Sequence, residues 1–254
     1  MLVVHGAGGG YDQGLILAQF VGDDFRRIAI SRFGFLRTPL SINASPIAMA
    51  DAYADLLDEL NISKVAVLGM SRGGPSSIQF ALRHPDRCSA LVMLSAISYT
   101  PPESFIQKII FNVLFESDFV YWLITTKLES QLISIFGVPK ETQVKLTTAE
   151  KGWASKFLQS MHPISLRKAG IYNDREYSVH DYPLECITVP TLVIHAEDDC
   201  LVSFTQGQYT AQNIPGARLI KLQSGGHLLM GQHEKVRSEV EEFLKQHTRA
   251  DAEK

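Results

Sequence analysis

Six short runs of apolar, β-favouring residues punctuate the chain: Leu2–His5, Arg27–Ser31, Val65–Met70, Cys88–Ala96, Thr191–Ala196 and Arg218–Gln223. Runs this short and this apolar suit strands covered on both faces, the habit of a parallel sheet. Between them the apolar spacing lengthens to a helical period over about 46–60, 72–84, 204–213 and 231–247. The first of these places Ile47, Ala50, Ala54, Leu57 and Leu60 at helical spacing. Strands alternating with helices predict right-handed crossovers and an α/β fold with a doubly wound, mostly parallel sheet.

One stretch breaks that rhythm. From about Ser98 to Glu185 there is no clear buried strand, only helical patterns such as Phe105-Ile106-Gln107-Lys108-Ile109-Ile110-Phe111. Pro101-Pro102 opens the stretch and Pro183 closes it, and proline breaks regular structure. The stretch is too long for two ordinary crossover helices. The expected organisation is a core from residues 1–97 and 186–254, with 98–185 a helical insertion over the C-terminal edge of the sheet. The polar tail after Lys245 is expected to fray.

Composition narrows the class of function. Of the 254 residues 45% are hydrophobic and 20% charged, enough apolar material for a full core, and the formal net charge is −3. That balance argues against nucleic acid or an anionic membrane as the main partner. No apolar run is long enough for a spanning helix, so stable membrane insertion is not expected. The start of the chain carries no basic, apolar leader pattern. Cys88, Cys186 and Cys200 are few and form no CxxC pair, which suits a reducing compartment and suggests neither metal nor redox site. A cytoplasmic setting is the default expectation, with no metal or organic cofactor.

The chemistry concentrates at Gly69-Met70-Ser71-Arg72-Gly73. A serine hydroxyl is a poor nucleophile at neutral pH and needs a base within hydrogen-bond reach, itself oriented by a third group. It must also project from the backbone, and a tight strand-to-helix turn achieves this. Such a turn crowds neighbouring backbone, hence glycine two residues either side of the serine. Here Val65–Leu68 supplies the strand, and Gly73-Gly74-Pro75-Ser76-Ser77-Ile78 opens a helix with Pro75 near its first turn. A merely structural turn is the competing reading.

With these features the chain resembles the α/β-hydrolase family, whose order is oxyanion loop, nucleophile, acid, then histidine. The resemblance covers nearly the whole chain, with 98–185 matching the family's variable cap. It implies a late-strand acid, and Asp199 stands three residues before Val202 as the family pattern has it; Asp198 and Glu197 are its local rivals. It implies His227 as the base, after the last strand and the Ser224-Gly225-Gly226 loop, with His233 as a runner-up expected on the surface. The oxyanion donors would be the N–H groups of Arg72 and, by likeness to the family's HGxxG loop, Ala7, with Gly8 as the alternative. His5 reads as structural. The glycine run after it lacks a P-loop lysine and a proper GxGxxG.

The implied function is a serine hydrolase that cleaves a small-molecule carboxylic ester through an acyl-enzyme. Gly6, Gly8, Trp122 and Trp153 are candidate substrate contacts, because the insertion is rich in large apolar groups that suit an apolar acyl or alcohol portion. C–C hydrolysis of diketone-type substrates, and a silent ligand-binding homologue, are the alternatives. Serine in place of aspartate at the turn disfavours epoxide opening and dehalogenation. The family's usual first two strands have no counterpart ahead of Leu2–His5. Their lack would leave Arg27–Ser31 as a sheet edge, so a homodimer through that edge, or reduced stability, is expected.

Overall fold

The computed structural model describes residues 1–99, 112–177 and 182–248. Within them, strands β1 (Leu2–Val4), β2 (Ile28–Ile30), β3 (Val65–Met70), β4 (Cys88–Leu94), β5 (Thr191–Ala196) and β6 (Arg218–Leu222) form one sheet in the order β2-β1-β3-β4-β5-β6. Every pairing is parallel. Each run read from the sequence becomes a strand, shortened at most by a residue or two. Strands β1, β3 and β5 are buried throughout, whereas the edge strand β2, paired only with β1, is half-buried. Covering both faces of the central strands is what their unbroken Val, Leu and Ile content stabilises, at about 1.5–3 kcal/mol per large side chain buried.

The chain moves outward from β1 to β2, then returns past β1 to build β3. Loops leaving the C-terminal ends of β1 and β3 therefore part in opposite directions, and the crevice between them is where open α/β sheets hold ligands. The loop after β1 is His5–Gly10 and the turn after β3 contains Ser71.

The core helices are α1 (Tyr11–Leu17), α2 (Pro46–Glu59) and α3 (Gly74–Arg83). Helix α2 starts where Ser45 accepts a hydrogen bond from the Ala48 N–H, with Pro46 in the first turn. Its buried stripe is Met49, Ala50, Tyr53, Ala54 and Leu57, while Ile47 and Leu60 of the expected stripe are exposed. Both lie at the helix ends, beyond the part that rests on the sheet. The sequence pattern missed α1, a seven-residue helix following a glycine run. Its own Gly14 lets it approach β2, since a Cβ there would lie 3.0 Å from that of Ala29.

Between β4 and β5 come α4 (Asp118–Lys127), α5 (Glu129–Ile135), α6 (Lys140–Lys145), α7 (Thr148–Gln159) and α8 (Lys168–Glu176). Helix α7 begins with a reciprocal cap between Thr147 and Glu150. Phe115, Tyr121, Val138, Phe157 and Met161 join the same apolar cluster as Val3, Leu68 and Leu192 of the sheet. Among the described residues, ion pairs of Arg32 with Asp174, at 2.5 Å, and of Arg167 with Asp12 tether this region to the core. The Pro101-Pro102 breaker, the Phe105–Phe111 pattern and the tail beyond Thr248 lie outside the described residues. After β5 come α9 (Phe204–Asn213) and α10 (His233–Thr248).

Candidate active site

Strand β3 ends at Met70, and Ser71 then takes a left-handed backbone conformation with φ of +52°. That conformation costs a non-glycine residue on the order of 1–3 kcal/mol. The surrounding packing maintains it. A Cβ on Gly73 would sit 2.6 Å from the Val4 carbonyl oxygen, and one on Gly69 would sit 2.5 Å from Ser77 Oγ. The Ser71 carbonyl in turn accepts a hydrogen bond of 3.0 Å from the Ile97 N–H, just past β4. Glycine at both positions lets the turn press against β1 and α3, which holds Ser71 at the crevice.

The loop after β1 reaches the same place. Gly6 lies against the serine: a Cβ there would stand 3.1 Å from Ser71 Cβ. Its carbonyl accepts from His5 Nδ1 at 2.7 Å and Arg32 Nη2 at 3.2 Å, and its N–H donates to Gln13 Oε1 at 3.0 Å. In a trans peptide the next N–H points opposite to that carbonyl. The Ala7 N–H is thus turned away from His5 and Arg32, and among the described residues it makes no hydrogen bond. Arg72, whose N–H is the other oxyanion candidate, sits in the single turn Ser71–Gly73 ahead of α3.

His5 is fully buried and accepts from the Arg32 N–H through Nε2. Burial, reinforced by the Arg32 charge, holds its pKa well below the usual histidine value. With Nδ1 donating and Nε2 accepting, it acts as a neutral brace.

On the far side, the loops after β5 and β6 carry the acid and the histidine. Asp199 Oδ1 accepts from the N–H groups of Leu201 and Val202, at 2.9 and 2.8 Å. Asp199 Oδ2 meets His227 Nδ1 at 2.9 Å and His195 Nε2 at 3.2 Å. Burial opposes the charge on this carboxylate, but the His227 and His195 imidazoles against it outweigh that and hold its pKa below the ordinary carboxylate range. An ionised carboxylate only accepts, so the His227 proton is assigned to Nδ1 and Nε2 presents a basic lone pair. Among the described residues no hydrogen bond joins that imidazole to Ser71. Such contacts are often long until substrate is bound.

The rivals of Asp199 have other employment. Asp198 accepts from the N–H groups of Gly225 and Gly226 at 3.2 and 2.8 Å, so it pins the loop that presents His227. Glu197 pairs with Lys221 on the surface. His233, expected on the surface, is instead largely enclosed, its ring centroid 5.1 Å from that of Phe20 and 4.4 Å from that of Trp153, with Nε2 on the Leu228 carbonyl. The first residue of α10 faces inward there because the helix starts against Phe20.

The region between β4 and β5 roofs these loops. A Cβ on Gly8 would come 3.0 Å from Met161 Sδ and 3.3 Å from Phe115. Gly137 lies 3.2 Å, by the same measure, from Asp199 Oδ1, and its carbonyl sits tightly over Gly226. Ser71 and His227 are both buried. Trp153 is packed against Phe157 and His233, which accounts for it as a core residue; Trp122 is half-exposed and leans on Phe119. Reading the sequence missed Gln13, His195 and Met161 as parts of the site, and took Asp198 only as a rival for the acid. Behind Arg72, toward α2 and α8, is a polar cavity of about 30 Å³ lined by Arg32, Ser45, Ser76, Asn173 and Asp174. Among the described residues no group of three His, Cys, Asp or Glu side chains is placed to hold a metal ion, and no helix is long and apolar enough to cross a membrane.

A family model for the alpha/beta hydrolase fold matches residues 1–234, and the chain belongs to that family. It is 26% identical over 244 residues to the "Uncharacterized hydrolase YcgS" of Bacillus subtilis, covering 90% of this chain and 84% of that one. It is 28% identical over 213 residues to the "Putative carbamate hydrolase RutD" of Stutzerimonas stutzeri, covering 80% and 75% respectively. Among solved structures, an alpha/beta hydrolase fold protein from Nakamurella multipartita superposes with a TM-score of 0.79 at 30% identity, over 96% of this chain and 91% of that one. The protein is a hydrolase by this kinship.

Proposed function

We propose that the chain is a serine hydrolase that cleaves a small carboxylic ester at Ser71. The carrying observation is the Asp199–His227 pair at 2.9 Å, which leaves a basic nitrogen on a buried histidine; we take that nitrogen to serve the buried Ser71. His227 Nε2 takes the proton from Ser71 Oγ as that oxygen bonds to the acyl carbon. The negative charge on the former carbonyl oxygen is met by the N–H groups of Ala7 and Arg72, each contributing about 3–4 kcal/mol in the transition state. The imidazolium returns its proton to the leaving alcohol. Water, deprotonated by the same nitrogen, then releases the acid. Asp199 stays ionised throughout and steadies the imidazolium.

Phe115 and Met161 above Gly8 support an apolar group beside the oxyanion loop. A carbamate presents the same acyl carbon, so the kinship with a putative carbamate hydrolase is consistent with the chemistry. The test is turnover of p-nitrophenyl acetate, butyrate and a p-nitrophenyl carbamate by the parent and by Ser71→Ala. The variant should fold with an unchanged circular dichroism spectrum and lose turnover on all three; activity retained by Ser71→Ala would reject the proposal.

A further inference from the structure

His195 has no place in that mechanism, yet it is fully buried on β5 and its imidazole touches the acid. Its Nε2 lies 2.8 Å from the Val202 carbonyl oxygen and 3.2 Å from Asp199 Oδ2. Both neighbours are acceptors, so Nε2 must carry the proton; it donates to the Val202 carbonyl, with Asp199 Oδ2 close beside that bond. Its Nδ1 is buried and, among the described residues, has no partner. A proton there would be a buried donor without an acceptor. Nε2 is thus selected over Nδ1 as the donor nitrogen from both sides. Packing fixes the ring: a Cβ on Gly207 of α9 would stand 2.9 Å from Nδ1, and the Phe204 ring meets the imidazole edge to face. The charged groups on this face of β5 and β6 are Lys221 and Glu197, which pair with each other. Helix α9 brings Phe204, Gln206 and Gly207 to the ring side, none of them titratable.

We infer that His195 is a positioning residue that donates a second imidazole hydrogen bond to Asp199 Oδ2, fixing the carboxylate and setting how strongly it holds the proton of His227. The inference rests on the reading of Asp199 and His227 as the acid and base of a serine hydrolase. Two donors on one carboxylate oxygen share its electron density. Removing His195 makes Asp199 the stronger acceptor, stabilises the His227 imidazolium and raises the pH at which His227 becomes a competent base. A role in packing alone would lower stability without moving that pH.

The experiment compares the parent with His195→Phe, which keeps the ring and lacks the donor, and His195→Gln, which offers an amide N–H in its place. The first reading is the acidic limb of kcat/KM for p-nitrophenyl acetate, which should move upward by about half a pH unit or more in His195→Phe and back toward the parent in His195→Gln. The second is nitrogen NMR of the histidines in Ser71→Ala, which needs neither turnover nor a His195 variant that folds. There the His195 proton should be found on Nε2. An unmoved limb in a folded His195→Phe, or a His195 that carries its proton on Nδ1, overturns the inference. Loss of all turnover in Ser71→Ala together with an unmoved limb would reject the His195 role and leave the hydrolase reading standing. Turnover retained by Ser71→Ala would reject the hydrolase reading itself.

Discussion

Asp198 and Gly226 are joined across the loops that follow β5 and β6 by a carboxylate-to-amide hydrogen bond of 2.8 Å, one position before Asp199 and one before His227. Adjacent aspartates thus do separate jobs. Asp199 holds the imidazole, and Asp198 holds the backbone that delivers it. Replacing Asp198 with Ala removes both amide bonds and should lower kcat about ten- to a hundredfold, with about 1–3 kcal/mol of stability lost. Steady-state kinetics and urea titration check the two effects; parent-like kcat would show that the loop holds itself.

Asp199→Asn should be far more severe for activity and milder for the fold. The amide can still accept from Leu201 and Val202 through its oxygen, leaving its NH2 facing His227 Nδ1. His227 is then driven to the tautomer with its proton on Nε2, which cannot act as a base. Loss of about ten-thousand-fold in kcat is expected. Kinetics on p-nitrophenyl acetate, with a melting curve to show a native fold, would measure it; a loss below tenfold would remove Asp199 from the mechanism.

Two glycines should answer oppositely to alanine. At Gly73 the new methyl would meet the carbonyl oxygens of Val4 and His5 at 2.6 and 2.8 Å, so at least about 2 kcal/mol should be lost. At Gly152, inside α7, nothing stands within 4 Å, and alanine should gain up to about 1 kcal/mol from helix propensity. Denaturant midpoints of the two variants decide it, and a stable Gly73→Ala would mean that the turn around Ser71 is not built as described.

Acid should weaken the fold before the carboxylates titrate. His5 and His233 are both held neutral by burial, with pKa values below the ordinary histidine value; at His5 the Arg32 charge adds to the effect. The unfolded chain binds protons at these histidines near pH 6.5 while the folded chain does not, so stability falls as pH drops below that point. The slope approaches about 1.4 kcal/mol per pH unit for each histidine that remains neutral when folded. Below about pH 4 the depressed pKa of Asp199 adds a further loss. Urea unfolding at pH 7.5, 6.5 and 5.5 tests this, and equal stability at all three would contradict it.

The central strands were legible because their apolar side chains are largely consecutive and short-range pattern alone decides them. The turn at Ser71 was legible for a similar reason, since glycine, serine and glycine lie within five residues. Helix α1 was not, because Gly10 precedes and Gly14 interrupts a seven-residue helix that packs against β2. His195 and Gln13 escaped notice, and the loop-pinning role of Asp198 with them, because their partners arrive from elsewhere in the chain, and a lone polar residue shows no period. His233 and the ends of α2 show the converse: exposure depends on what a helix rests against, which its own spacing does not state.

The central claim is that Ser71 is an activated nucleophile, and a fluorophosphonate tests that without any knowledge of the substrate. Incubation with the reagent followed by peptide mass spectrometry should find a single phosphonyl adduct on Ser71, formed at pH 8, lost in Ser71→Ala and strongly slowed in Asp199→Asn. No adduct on Ser71 in the folded parent would contradict the account.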